Sequence, residues 1–121
     1  NFGHTLGHAI ESYFLDHAEK TPLLHGEAIA IGMLLEAYLS LKICGLSSND
    51  FENICEGILK TFTKISISKE DQQIIIHLLK HDKKNSHGVV KFVLLEAIGK
   101  PKIDCVVSNE LIFEAFNYYS F

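Results

Sequence analysis

Glu27–Cys44 reads EAIAIGMLLEAYLSLKIC, the body of a helix predicted from about His25 to Cys44 with apolar residues around most of its circumference. Such a helix has no wide polar face to give to water, so it is expected to lie buried at the centre of a domain. Gly45 follows in the position of a C-cap. Gly26 and Gly32 carry no side chain and are expected to let a neighbour approach closely. Working back towards the start, Thr21-Pro22 breaks the chain within a loop over about 19–23. Before it, Leu6, Ala9, Ile10, Tyr13 and Phe14 recur at helical spacing and predict a helix from about Gly3 to His17. Working forward, Ser47-Ser48-Asn49-Asp50 caps a helix to about Phe62 through Phe51, Ile54, Cys55, Ile58 and Leu59. Ile65-Ser66-Ile67 is a short extended link. Ser68-Lys69-Glu70-Asp71 then caps a helix that carries Ile74, Ile75, Leu78 and Leu79 to about His81, and HDKKNSHG over 81–88 is a polar loop.

Val89–Ile98 changes character. With Ile103–Val107 it predicts two strands around a turn at Gly99-Lys100-Pro101-Lys102. Ser108-Asn109-Glu110 caps a last helix through Leu111, Ile112, Phe113 and Phe116. The fold class is therefore mainly α: one domain over 1–121, with a single small β-hairpin near 89–107.

The 121 residues are 47% hydrophobic, enough for one core, and the net charge is only −4. All eleven basic residues are lysines, and they are scattered, so a nucleic-acid partner is not expected. Cys44, Cys55 and Cys105 are odd in number and lack C-x-x-C spacing, which reads as buried thiols in a reducing compartment. No apolar run has the roughly 18 residues of a membrane span and no signal-peptide pattern opens the chain, so a soluble cytoplasmic protein is expected. The first residue is not Met and already belongs to the densest motif, whereas termini ordinarily fray. The chain therefore reads as the C-terminal piece of something longer.

That motif is NFGHTLGHAIESYFLDHAEKTPLLHGE, Asn1–Glu27, which holds four of the seven histidines. His4 and His8 are four apart and share one helix face, with Glu11 a turn further along. His25 stands just after the Thr21-Pro22 break and just before the apolar helix. Two imidazoles on one helix and a third returned by a turn make a candidate metal site. Imidazole suits zinc, and catalytic zinc commonly takes three protein ligands and leaves a position for substrate. Glu11 and Glu27 are candidate carboxylates behind the ligands, although Glu27 follows His25 too closely to be counted as a third one. The residues by themselves leave a metal site and a structural histidine cluster both open.

His8 reads as a ligand, as an acid/base and substrate-contacting group beside the metal, or as a helix-face histidine bonded to Glu11. Asn1 could donate to a substrate hydroxyl or phosphate, or be an ordinary N-cap. Lys83 and Lys84 could meet an anionic group as point charges, or be solvated loop residues. The first helix starts at Asn1–His4, where free backbone N–H groups would favour an anion such as phosphate. His17, His77, His81 and His87 show no partner pattern and read as surface residues.

Asn1-Phe2-Gly3-His4-Thr5-Leu6-Gly7-His8-Ala9-Ile10-Glu11, Leu24-His25-Gly26-Glu27 with Ile31-Gly32-Met33, Asp82-Lys83-Lys84-Asn85 and Phe92–Gly99 together resemble the 3-dehydroquinate synthase family. Four motifs in the same order cover essentially the whole chain. The resemblance implies the helical C-terminal domain of a two-domain enzyme whose active site lies in the cleft against an N-terminal NAD-binding domain. It implies conversion of 3-deoxy-arabino-heptulosonate 7-phosphate to 3-dehydroquinate and phosphate in the shikimate pathway, with NAD used catalytically and zinc or cobalt as the metal. By that resemblance His4 and His25 are two of three metal ligands. The third is a glutamate outside this chain. His8 is the histidine near the transferred proton and phosphate, Asn1 contacts substrate, and one of Lys83 and Lys84, with Lys84 favoured, does too.

The isolated chain is then expected to be inactive and to bind zinc weakly, and the full-length enzyme to be a homodimer. The interval between His8 and Leu24 is a few residues longer than the family pattern. Two further enzymes fit less well: a sugar-phosphate cyclase of the 2-deoxy-scyllo-inosose synthase type and a polyol dehydrogenase of the glycerol dehydrogenase type. The DKKN loop and the FVLLEAIG strand favour the synthase. Outside the enzymes, a non-catalytic helical module with packing or storage histidines is the remaining alternative.

Overall fold

Helix α2 (His25–Ile43) is the axis on which the other elements pack. It comes from a computed structural model that describes residues 2–17, 23–81 and 89–120, with only the backbone of His81. Around it stand α1 (His4–Asp16), α3 (Ser48–Thr61), α5 (Asn109–Tyr119) and strand β1 (Phe92–Ala97), while α4 (Lys69–His81) packs on α1 and touches α5. The fold is mainly α with one antiparallel hairpin. Centrality follows from the apolar circumference of α2: Ala28, Ile31, Leu35, Ala37 and Leu39 are buried on several sides of it. Gly45, at φ 79, takes the left-handed turn that ends this helix. No helix of the described residues is long and apolar enough to cross a membrane.

α1 buries Leu6, Ala9, Ile10, Tyr13 and Phe14, the same face that its spacing predicts. It lies unusually close to α2. A Cβ added at Gly32 would stand 2.2 Å from the carbonyl oxygen of Gly3 and 2.7 Å from the amide nitrogen of Gly7. Gly26, expected to play a similar part, does not: its nearest neighbour would be Phe62, at 3.9 Å.

The serine caps hold as read. Ser47 Oγ accepts from the Asp50 amide at 3.1 Å and Ser108 Oγ from the Leu111 amide at 3.2 Å. Ser68 and Asp71 cap α4 reciprocally, at 3.1 and 2.9 Å. Asp71 is buried and also accepts the hydroxyl proton of Tyr13 on α1. That bond fixes the rotation of α4, so Ile75, Ile76 and Leu79 face inward while Ile74, expected inside, is 37% exposed.

The hairpin is tighter than its composition suggests. Ala97 pairs with Lys100, so the turn is Ile98-Gly99 with Gly99 at φ 80, and Lys100-Pro101-Lys102, read as turn, belong to β2 (Lys100–Cys105). Pro101 is tolerated because the sheet has two strands, leaving β2 an outer edge that needs no N–H there. Phe92 and Leu94 are fully buried, and Ser40 Oγ on α2 accepts the Leu95 amide at 2.9 Å. The loops expected over 19–23 and 81–88 lie almost wholly outside the described residues.

Candidate metal centre

His4 and His8 sit one turn apart on α1, and His25 opens α2. The close approach of the two helices brings the three imidazoles together. Their rings are 5.2 Å (His4–His8), 6.2 Å (His4–His25) and 5.9 Å (His8–His25) apart between centroids. One nitrogen of each lies within 4.8 Å of one nitrogen of each of the others. His4 is half-buried, whereas His8 and His25 are exposed, so the cluster faces outward from the core.

The far sides of the rings show that this set suits a cation. His25 Nδ1 is 3.0 Å from Glu11 Oε1, and His4 Nδ1 is 3.3 Å from the carbonyl oxygen of Phe2. Both partners are acceptors, so Nδ1 is the protonated nitrogen on each ring and Nε2 is the one left to face a metal in the neutral tautomer. Histidines that ligate metals ordinarily have this arrangement, with the second nitrogen tied to a carboxylate or a backbone carbonyl. His8 has no such bond among the described residues. The reading of His8 as a helix-face residue bonded to Glu11 is thereby corrected: Glu11 turns to His25, which α2 places across from it. Glu27 accepts the Leu24 amide at 2.9 Å and caps α2.

A residue that the sequence reading passed over holds this arrangement from below. Glu36 lies in the apolar run of α2 and is 0% exposed. Its two oxygens accept the amides of Gly3 and Leu6, each at 2.9 Å. Burial pushes its pKa up to about 7, against the lowering effect of those two hydrogen bonds. The amides at the start of α1 do want acceptors, but the acceptors that take these two are the oxygens of the chain's own Glu36. The expectation of a phosphate there is corrected to that extent. Only one signal could have revealed this: an acid in the middle of the apolar run of α2 must be neutralised or hydrogen-bonded where it is buried.

Asn1, Lys83, Lys84 and His87 lie outside the described residues, as does the side chain of His81. His17 bonds the Tyr13 carbonyl through Nδ1 at 2.8 Å and packs on the Tyr13 ring, away from the cluster. His77 is exposed on α4. The three cysteines are free; Cys44 and Cys105 lie with their sulfurs 4.0 Å apart between the end of α2 and the end of β2.

With this geometry in view, the comparisons with known proteins converge. A family profile described as 3-dehydroquinate synthase C-terminal matches residues 1–85. The 3-dehydroquinate synthase of Parabacteroides distasonis is 37% identical over 119 residues, which is 98% of this chain and 33% of that protein. That of Acinetobacter baylyi is 40% identical over 112 residues, 93% of this chain and 30% of that protein. The chain thus spans about a third of the length of the curated relatives it matches. A solved 2-deoxy-scyllo-inosose synthase complexed with carbaglucose-6-phosphate, NAD+ and Co2+ superposes with a TM-score of 0.71 at 29% identity, over 97% of this chain and 32% of that one. A 2-epi-5-epi-valiolone synthase from Streptomyces hygroscopicus, with NAD+ and Zn2+ bound, gives 0.78 at 21% identity over 98% and 32%, a likeness of fold alone.

Proposed function

The chain belongs to the 3-dehydroquinate synthase family, and from there we propose that it is the metal- and substrate-binding helical portion of such an enzyme. The reaction is conversion of 3-deoxy-arabino-heptulosonate 7-phosphate to 3-dehydroquinate and phosphate, in the shikimate pathway of the cytoplasm. NAD is bound mainly by polypeptide outside these 121 residues, and the full-length enzyme is a homodimer. The observation that carries this reading is the convergence of His4, His8 and His25, with Nδ1 of His4 and of His25 each tied to an oxygen.

His4 and His25 are the two metal ligands that this chain supplies, and a glutamate from outside it is the third. A zinc or cobalt ion held by these residues would supply Lewis acidity towards the hydroxyls of a sugar phosphate. His8, with both nitrogens uncommitted among the described residues and its ring exposed, accepts or delivers a proton beside the departing phosphate. Glu11 keeps His25 in the tautomer that offers Nε2. Asn1 and one of Lys83 and Lys84, preferentially Lys84, hold the hydroxyl and phosphate groups of the substrate.

The test is phosphate release by the full-length polypeptide with NAD and Co2+ or Zn2+. Release from the heptulosonate 7-phosphate, lost in the His4→Ala, His25→Ala double variant, is the expected result. Release only from a hexose 6-phosphate would transfer the assignment to a cyclase of the 2-deoxy-scyllo-inosose synthase type, a reading that the 29% identical structure favours next. Oxidation of a polyol without phosphate release would indicate the dehydrogenase type. Unchanged turnover and metal content in the double variant would leave a non-catalytic module.

A further inference from the structure

Glu36 has a bearing on the histidines that its distance from them hides. The N-cap of α1 is Gly3, at φ 88, and no side chain caps the helix from its own strand of sequence. A local cap is excluded by packing: a Cβ on Gly3 would fall 2.3 Å from Met33 Cγ on α2. The first turn of α1 must be satisfied from across the interface, and Glu36 does this with both oxygens. The amide it takes at Gly3 belongs to the Phe2–Gly3 peptide. The carbonyl of that same peptide accepts Nδ1–H of His4. Carboxylate, peptide plane and imidazole therefore form one hydrogen-bonded series, in which each bond polarises the next.

Glu36 and His25 are eleven residues apart on one helix, which puts them about 20° apart around its axis. A single rigid element thus presents His25 and also grips the start of the helix that carries the other two imidazoles.

We infer that Glu36 is a positioning residue for the histidine cluster, acting through the Phe2–Gly3 peptide to set the tautomer and direction of His4 and through Leu6 to set the advance of α1 against His25. The inference rests on reading the cluster as a metal site. It predicts that replacing one of the two acceptor oxygens of Glu36 weakens metal binding without touching any ligand. Glu36→Gln retains shape and one acceptor, but turns an N–H donor towards an amide that also donates.

The experiment measures Co2+ affinity and the visible absorption of bound Co2+ in the full-length polypeptide. Glu36→Gln is expected to bind about 10- to 100-fold more weakly, the range for losing a partner behind a ligand, and to give a changed Co2+ spectrum. Ser40→Ala is the control. It lies one turn further along α2, is equally buried, and its hydroxyl donates to the Glu36 backbone carbonyl and accepts from β1, touching neither the Glu36 carboxyl group nor α1. It is expected to lower stability and leave both Co2+ readouts alone. A second measurement needs no variant: nitrogen-15 NMR of the unsubstituted protein should show His4 protonated at Nδ1.

Wild-type affinity and spectrum in Glu36→Gln, an equal loss in Ser40→Ala, or His4 protonated at Nε2 would each overturn the inference. An unsubstituted protein that binds no Co2+ would remove the metal site and this inference together. One that binds Co2+, responds to Glu36→Gln and releases no phosphate from the heptulosonate phosphate would keep the inference and sink the substrate assignment.

Discussion

His25 and Glu11 meet at 3.0 Å with side-chain exposures of 59% and 32%. Even a fully charged pair that open to water contributes only about 0–1 kcal/mol to stability, so the contact matters for the ring's tautomer more than for the fold. Glu11→Gln is expected to weaken Zn2+ binding by about 10- to 100-fold while leaving the thermal midpoint within a degree or two; calorimetric titration beside a melting curve checks both. Glu36 behaves in the opposite way, as a buried group with consequences for stability. Its pKa rises from 4.5 to about 7 on folding, so the folded state binds this proton more tightly than the unfolded chain does. The stability it contributes is fully present below about pH 4.5 and is lost as pH rises through about 7. At about 1.4 kcal/mol per pH unit the upper limit is about 3 kcal/mol. Denaturant midpoints measured between pH 5 and 8 should fall with pH in the native sequence and show a flatter slope in Glu36→Gln. The i, i+4 spacing of His4 and His8 made those two residues legible in the chain. Glu36 was not, because nothing in its neighbours along the sequence says that it faces Gly3 and Leu6.

Helices α1 and α2 meet backbone to backbone, and glycine is what allows it. Gly32→Ala drives a methyl group against the Gly3 carbonyl and the Gly7 amide, atoms that cannot step aside without moving α1. A cost of about 1–3 kcal/mol is expected, with metal binding lost in parallel because His4 and His8 ride on the displaced helix. Gly57 gives the contrary result. It lies in the exposed middle of α3 with nothing within 4 Å of an added Cβ. Gly57→Ala is expected to stabilise by roughly 0.5–1 kcal/mol, and paired unfolding curves would show the opposite signs. The elements themselves were readable. Five helices, the serine caps of α3, α4 and α5 and the hairpin follow from periodicity and capping chemistry, both set by residues near one another in the chain. The errors have one origin. Lys100–Lys102 looked like turn residues because local composition cannot show that β2 is an outer edge where Pro101 costs no ladder bond. Ile74 looked buried because its neighbours cannot show the Tyr13–Asp71 bond that rotates α4.

Stability across the molecule should be graded by burial. α2 is enclosed on several sides, whereas α3 buries only Phe51 and Ile58 among its fourteen residues. Hydrogen exchange is expected to be slowest in the central amides of α2 and faster by orders of magnitude in α3, since a helix with one thin apolar stripe can open without disturbing the core. Equal protection in the two helices would contradict this gradation. The sequence by itself determined the fold class, the central place of Glu27–Cys44 and the histidines to watch, because hydrophobic period, capping residues and i, i+4 spacing are properties of short stretches. Only the tertiary structure decided which carboxylate stands behind which imidazole, that two amides at the start of α1 are already taken by Glu36, and which glycine is indispensable. Those facts depend on pairs of residues 14 to 33 positions apart, and distances of that kind are set by how whole helices pack rather than by any neighbour along the chain.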